Sequence, residues 1–382
     1  INYAEVIAFG FDKTGTMTGV RFRDTAPDGK DREYSVTADE LVCAAGPYTD
    51  LVLGLDRRAA EDGRRLIRPS KGVHLVFRKS VTRGKAVVVP VGRNILTFLV
   101  PLMDDYVMMG TTDTDYPVRD YHDLDFIPVT EEDVRYNLDV LDIIFPRVFK
   151  KHDILACYSG VRPLANPGQN GASGISESDT SRTHGIRRLK SGLWVITGGK
   201  FTTFRLMAEQ MTDSILNALR EKGLKSGARI CSTADKTLHG CPESFTFPEE
   251  RNRWLEEGAG SLEKRSGLPR EILRHLLESY GSCAENVVSL AEGGSGLGQP
   301  VGSDRTWIMA EIKYAAEREM CLTLSDFLVR RTQLRFVEHQ GLDVAEKTAD
   351  ALGNYLDWSP DMKTKQIDEY CNYIEKVWRG NA

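Results

Sequence analysis

Residues 196–205 (Ile-Thr-Gly-Gly-Lys-Phe-Thr-Thr-Phe-Arg) combine residue types that suit the binding of an anion. The apolar run 193–196 stops at Gly198 and Gly199, and Lys200 and two hydroxyl residues precede a helical pattern. This order predicts a strand, a tight turn and a helix N-terminus. Free backbone N–H groups and the helix dipole favour an anion there, and glycine lets it approach closely. The alternative is a tight turn with a solvated lysine.

Three further clusters could contribute chemistry, namely residues 68–74, 110–113 and 159–164. His74 in the first cluster can accept a proton near neutral pH. Arg162 in the third can bind a phosphate as a bidentate fork, and Lys200 can do so as a point charge. One base and several cations indicate an anionic, phosphorylated substrate with a hydroxyl group to be deprotonated.

Each of these clusters also has a structural interpretation. His74 could be a hydrogen-bonded core histidine, Arg162 could pair with a carboxylate, and residues 110–113 could form a hairpin turn. Spacing along the chain does not bring the clusters together in space.

Composition excludes several classes of protein. A net charge of −5 over 382 residues gives no reason to expect a nucleic-acid partner. Seven scattered cysteines without a C-x-x-C pair indicate a reducing compartment and no disulfide framework. Cys231, His239 and Cys241 lack a recognisable fourth ligand and are interpreted as loop residues, so no metal is expected. No apolar run is long enough to span a membrane.

The first half of the chain predicts sheets with one long helix. Runs 4–9, 18–23 and 33–37 read as an antiparallel meander, and 41–45 reads as a strand buried on both faces. Further strands are expected in the region 66–112, with short turns that favour antiparallel pairing: 73–77, 86–91, 95–100 and 106–109. A helix over 131–145 is expected, with Thr130 as its N-cap and Val134, Leu138 and Leu141 as its apolar stripe.

The remainder of the chain predicts loops and then helices. Residues 166–181 read as a loop and 221–245 as a linker. Helices are expected over the following stretches: 269–281, 306–320, 325–338, 344–357 and 361–378. The glycine-rich run 293–298 lacks both the G-x-G-x-x-G spacing and a preceding strand, so no dinucleotide fingerprint is present. Because Ile1 has no preceding methionine, we expect residues upstream of it.

Six segments in this order resemble FAD-dependent (aerobic-type) glycerol-3-phosphate dehydrogenases over nearly the whole chain: 41–50, 68–77, 110–116, 158–164, 196–209 and 323–336. The resemblance implies an α/β (α+β) FAD-dependent oxidoreductase fold of the D-amino-acid-oxidase type, N-terminally incomplete, plus an all-α C-terminal domain. It divides the chain into a partial FAD- and substrate-binding domain over 1–220, the linker, and a helical domain over 246–382. The FAD parts would be about 1–50 and 193–220, and the substrate sheet about 66–165.

The resemblance also implies a reaction. It is the oxidation of sn-glycerol 3-phosphate to dihydroxyacetone phosphate, with hydride transfer to FAD and His74 accepting the C2 hydroxyl proton. Arg162, Lys200 and Arg182 would bind the phosphate, and Thr112 would contact the substrate. The cofactor would be lined by the following residues: Ala45, Gly46, Pro47, Gly198, Gly199, Lys200, Phe201, Thr202 and Thr203.

Family dehydrogenases pass electrons to membrane quinone, whereas related oxidases use oxygen. Those oxidases carry an insertion before the Gly-Gly-Lys turn, and residues 165–192 are too short for it, which favours quinone. Quinone use implies a peripheral location on the cytoplasmic face of the cell membrane. A homodimer is one oligomeric state that the sequence allows. The alternatives are an oxygen-using glycerol-3-phosphate oxidase, an amine or amino-acid oxidase of the same fold, and an inactive fragment or helical interaction module.

Overall fold

The chain forms two units, one of residues 1–231 together with the end of the last helix from Ile374, and one of residues 232–373. The computed structural model describes the following residues: 1–27, 30–56, 58, 65–78, 81–82, 84–91, 96–102, 105–110, 112–166, 184–224, 230–241, 245, 247–294, 296–302 and 306–377. Within these ranges the first unit contains three sheets, and the second unit is helical.

The first sheet is an antiparallel meander of β1 (Ala4–Phe11), β2 (Met17–Asp24) and β3 (Glu33–Thr37). This confirms the three strands expected at the start of the chain.

The strands of the second sheet are the following: β5 Ile67–Phe77, β6 Val87–Pro90, β7 Leu96–Pro101, β8 Val107–Gly110, β9 Thr114–Asp115 and β10 Ile154–Ala165. Their order is β10-β5-β8-β7-β6, and β9 also pairs with β5. All are antiparallel to their neighbours, as the short turns predict.

Alternation along β5 separates a core face from a second face. Val73, Leu75 and Phe77 are fully buried in one hydrophobic cluster with residues of α2 (Glu131–Ile144). The Thr130 side chain caps α2 by accepting from the Asp133 amide, as expected. Lys71 lies on the core face too, where its Nζ is 2.7 Å from Asp133 Oδ2. This ion pair ties α2 to the middle of β5.

The third sheet joins β4 (Val42–Cys43), β12 (Trp194–Thr197) and β11 (Gly185–Arg188). β4 and β12 are parallel. The prediction of a strand over 41–45 buried on both faces was wrong in two respects. The strand covers only two residues, and the Val42 side chain is 42% exposed because only Cys43 points into the core.

Helices complete the described parts of both units. In the first unit, α1 (Thr49–Leu53) follows β4, and α3 (Phe204–Glu221) follows β12. The helical unit is built from the following: α4 Pro248–Ser266, α5 Arg270–Tyr280, α6 Ala284–Gly293, α7 Met309–Arg318, α8 Ala345–Tyr355 and α9 Pro360–Val377, whose last turn belongs to the first unit.

The prediction of a single helix over 325–338 was wrong, because two short segments of different helix type occupy this stretch. A π-helical turn covers Asp326–Arg331 and a separate 3-10 turn covers Leu334–Phe336. The Thr323 hydroxyl and the Asp326 carboxylate cap the start of this segment, and the Thr332 amide donates to the carbonyl oxygen of Phe327, five residues back, where the π-helical turn ends. The expected loop over 166–181 lies outside the described residues except for Asn166. The domain limits stay predictions.

Candidate active site

Two of the residues expected to do chemistry share one face of the second sheet. β10 pairs with β5 so that cross-strand partners point to the same side. Three successive rows on the face opposite the core are Ser70 with Arg162, Gly72 with Gly160, and His74 with Tyr158. A row of two glycines therefore separates the row of the arginine from the row of the histidine.

His74 is held as a neutral base. Its ring lies over Gly110 of β8 and 5.8 Å, between ring centroids, from Tyr158. Nδ1 is buried and has no hydrogen-bond partner among the described residues. Burial first, and the nearby positive charge of Arg162 second, lower the pKa of His74 from 6.5 to about 4. The imidazole can therefore accept a proton at neutral pH.

Arg162 is held by contacts of both terminal nitrogens of its guanidinium group. Nη2 donates to the carbonyl oxygen of Thr112 at 3.1 Å, and Nη1 lies 3.5 Å from Asp113 Oδ1. Asp113 also accepts a short hydrogen bond from the hydroxyl of Ser70. Both side chains of the ion pair are 26% exposed. The carboxylate pairing that was one alternative for Arg162 is thus present, and the guanidinium still reaches solvent.

Residues 112 and 113 leave the sheet where β8 gives way to β9. Both strands pair with β5 in the same sense, and the register changes by one residue between them, as at a β-bulge. The hairpin-turn interpretation of 110–113 was therefore wrong. The Thr112 hydroxyl accepts from the Val73 amide at 3.0 Å, and only 3% of the residue is exposed. Its observed contacts anchor the bulge and orient Arg162.

A second group of predicted residues lies at the carboxyl ends of two parallel strands. The register pairs Val42 with Trp194 and Cys43 with Val195, so residues 45–47 and 198–203 follow adjacent strand ends. Ligands of α/β folds bind at such edges. β10, the strand of Arg162, contacts both the 46–48 turn and β12.

The turns at this edge suit a flat, electron-rich ligand. Gly46, Gly198 and Gly199 have φ values of 54°, 67° and 85°, which favour glycine. A side chain at position 46 would meet nothing within 4 Å, so the backbone is open there. Lys200 is exposed and precedes a 3-10 turn over Phe201–Thr203, after which α3 begins.

Phe201 is 91% exposed and stacks on Phe204, and Thr202 and Thr203 are also exposed. Uncovered backbone, an aromatic ring and a cation at a helix start fit the ring system of a flavin.

Arg182 and the cysteine–histidine group lie apart from these two clusters in the sequence. Arg182 lies outside the described residues. Cys283 Sγ lies 3.2 Å from His239 Nε2, and no group of three His, Cys, Asp or Glu side chains in the described ranges could hold a metal ion.

Sequence reasoning assigned no role to Asp113, Tyr158, Gly72 or Gly110. For Gly72 a signal was present, because Lys-Gly-Val-His at 71–74 and Ser-Gly-Val-Arg at 159–162 place a glycine two residues before each functional side chain. In strands this spacing puts both residues of each pair on one face.

The fold and the site define a two-unit protein with a ligand edge on parallel strands beside an antiparallel sheet that carries a base and a cation. A family model described as "FAD dependent oxidoreductase" matches residues 1–214, and one described as "C-terminal domain of alpha-glycerophosphate oxidase" matches 231–363. The chain belongs to the FAD-dependent oxidoreductase family, whose cofactor is FAD. This confirms the predicted fold class.

Individual relatives agree with the family match. A probable mitochondrial glycerol-3-phosphate dehydrogenase of Dictyostelium discoideum is 30% identical over 390 residues, covering 99% of this chain and 57% of that protein. An aerobic glycerol-3-phosphate dehydrogenase of Staphylococcus aureus is 29% identical over 386 residues, covering 100% and 65%. The solved glycerol-3-phosphate dehydrogenase of Bacillus halodurans, complexed with FAD, superposes with a TM-score of 0.79 at 25% identity, covering 99% and 69%. This chain therefore spans less than two thirds of the length of these two curated relatives.

Proposed function

We propose that this chain carries the substrate site of an FAD-dependent enzyme that oxidises sn-glycerol 3-phosphate to dihydroxyacetone phosphate. The observation that supports this most directly is the placement of a neutral histidine and a solvent-reaching arginine on the same sheet face, with one row of glycines between them. A substrate with a hydroxyl to be deprotonated and an anionic end matches that pair. Relatives named glycerol-3-phosphate dehydrogenases support the same substrate.

In this proposal His74 is the catalytic base. With Nδ1 buried, Nε2 accepts the proton of the substrate C2 hydroxyl. Its lowered pKa keeps the imidazole neutral before each turnover. When bound, FAD supplies the acceptor for the hydride that leaves C2.

The cations hold and orient the substrate. Arg162, whose side chain is 26% exposed, binds the phosphate through its guanidinium, and Lys200 adds a second charge. Arg182 is a further phosphate-binding candidate from the sequence. Thr112 is a substrate-binding candidate from the sequence. In this proposal it acts through Arg162, whose guanidinium donates to the Thr112 carbonyl oxygen.

The two turns at the parallel edge would hold the cofactor. Ala45, Gly46 and Pro47 of one turn and residues 198–203 of the other would line it, because the glycine backbone and the exposed Phe201 ring leave room for close contact. The electron acceptor in this proposal is membrane quinone, reached from a peripheral position on the cytoplasmic face of the membrane, and a homodimer is compatible with it. No described helix combines the length and the apolar character needed to cross a bilayer. Oxygen is the alternative acceptor.

The test is anaerobic reduction of the bound flavin. The purified chain, supplied with FAD, should be yellow and should bleach with glycerol 3-phosphate, but far less with glycerol or glycine. Bleaching by glycine in preference to glycerol 3-phosphate would favour an amino-acid oxidase, and a preparation that takes up no FAD would refute flavin chemistry for this chain. Reoxidation by a soluble quinone without peroxide would support the quinone, and peroxide formation would support oxygen.

A further inference from the structure

Two glycines lie directly beneath the functional side chains of the sheet face. A Cβ built on Gly72 would lie 2.7 Å from Cζ and 2.8 Å from Nη1 of Arg162, and closer still to Nη2. A Cβ built on Gly110 would lie 2.7 Å from Cγ and 2.9 Å from Nε2 of His74. Real Cβ contacts are essentially never shorter than 3.0 Å, so a side chain at either position displaces the group above it.

Backbone conformation does not explain these glycines. Neither Gly72 nor Gly110 has a positive φ, and both are paired in antiparallel ladders, Gly72 with β10 and Gly110, at the end of β8, with β5. In a strand, glycine weakens the sheet, and it often marks a place where another group approaches closely. Here the approaching groups are the guanidinium and the imidazole of the site.

We propose that Gly72 and Gly110 are positioning residues, which leave room for the Arg162 guanidinium and the His74 imidazole to lie flat on the sheet and so set the spacing between cation and base. The expected changes in KM and kcat rest on the proposed function. The expected change in the His74 pKa does not, because it depends only on the structure. Tyr158 and Arg162 of β10 lie near His74, the first as a ring at 5.8 Å between centroids and the second as a positive charge that lowers the pKa of His74. A displacement of the guanidinium away from His74 therefore raises that pKa.

The first test is Gly72→Ala. The clash falls on the end of a flexible side chain, so the strand is retained while the guanidinium moves. We expect the KM for glycerol 3-phosphate to rise about tenfold or more, as for loss of a charge-assisted hydrogen bond, with a smaller change in kcat. The pKa of His74, followed by NMR in the ligand-free chain, should rise because the charge of Arg162 has moved away. Gly110→Ala should instead lower kcat more than it raises KM.

Two controls separate positioning from general damage. The first control is Gly160→Ala, because Gly160 is the cross-strand partner of Gly72. A Cβ at position 160 would meet only the Tyr158 hydroxyl, at 3.8 Å, so the pKa of His74 should not change. Gly293→Ala, at the end of α6, should leave the kinetics unchanged, since a Cβ built there meets nothing within 4 Å.

A double-mutant cycle gives the sharpest result. In an Arg162→Ala background, Gly72→Ala should have no further effect, because the group it displaces is absent. This holds even where Gly72→Ala alone folds poorly, since the second substitution removes the clash. Additive effects, or a His74 pKa that responds equally to Gly72→Ala and Gly160→Ala, would overturn the inference. A wild-type chain that does not oxidise glycerol 3-phosphate would refute the proposed function, and the His74 titration would still decide the role of Gly72.

Discussion

Replacing Arg162 with alanine tests the phosphate site most directly. The substitution removes the cation and also takes away the positive charge that pairs with the Asp113 carboxylate at 3.5 Å. Hydrogen bonds to charged groups contribute about 1.5–3 kcal/mol each, so losing a bidentate pair costs at least about 3 kcal/mol. We therefore expect kcat/KM for glycerol 3-phosphate to fall roughly a hundredfold or more.

The structure adds a second variant that separates the two contributions. In Arg162→Ala/Asp113→Asn the uncompensated carboxylate is gone, so part of the loss should be recovered. The assay is steady-state kinetics with an artificial electron acceptor, using glycerol 3-phosphate and glycerol in parallel. Because glycerol lacks the phosphate, its turnover should change little. Equal losses for both substrates would refute a phosphate-binding role for Arg162, and an absence of recovery in the double variant would refute the contribution assigned to Asp113.

The role of His74 as base, its lowered pKa and the buried Lys71–Asp133 ion pair can each be tested. Removal of the base in His74→Ala should slow flavin reduction by about 10²–10⁴-fold in single-turnover experiments, and an unchanged rate would exclude His74 as the base. Because the folded pKa of His74 is lowered to about 4, the neutral form persists as the pH falls, so kcat/KM should decline only as the pH approaches 4; a decline centred near 6.5 would contradict this. Asp133→Asn should lower the free energy of unfolding by about 3–5 kcal/mol in urea titrations, because Lys71 is left buried without its partner. Glu131→Gln, in an exposed pair with Lys151, should change it by less than about 1 kcal/mol, and equal effects would refute the importance of the buried pair.

Local patterns in the sequence predicted local structure well. Alternation and turn residues located the meander and the second sheet, and Thr130 followed by acidic residues located the start of α2. The failures have physical causes. Residues 41–45 are apolar enough for a buried strand, but pairing with β12 stops after Cys43, and Gly46 turns the chain.

The site was harder to predict than the elements. His74 and Arg162 were each selected by residue type, but their proximity depends on the β5–β10 register, which no spacing along the chain reveals. Asp113 was missed because its role arises only where the bulge brings it beside Arg162. The low pKa of His74 likewise reflects burial and a neighbour from another strand.

The strict alternation of core-facing and site-facing residues in β5 limits which mutations can accumulate in this strand during evolution. Val73 and Leu75 fill the core while Gly72 and His74 face the site, so inserting or deleting one residue within the strand would exchange the two sets. Such a change would bury the base and expose the core in a single event, and no compensating substitution at one position could restore both. Length variation among homologues should therefore be confined to the turns that flank β5, and substitution alone should diversify the strand.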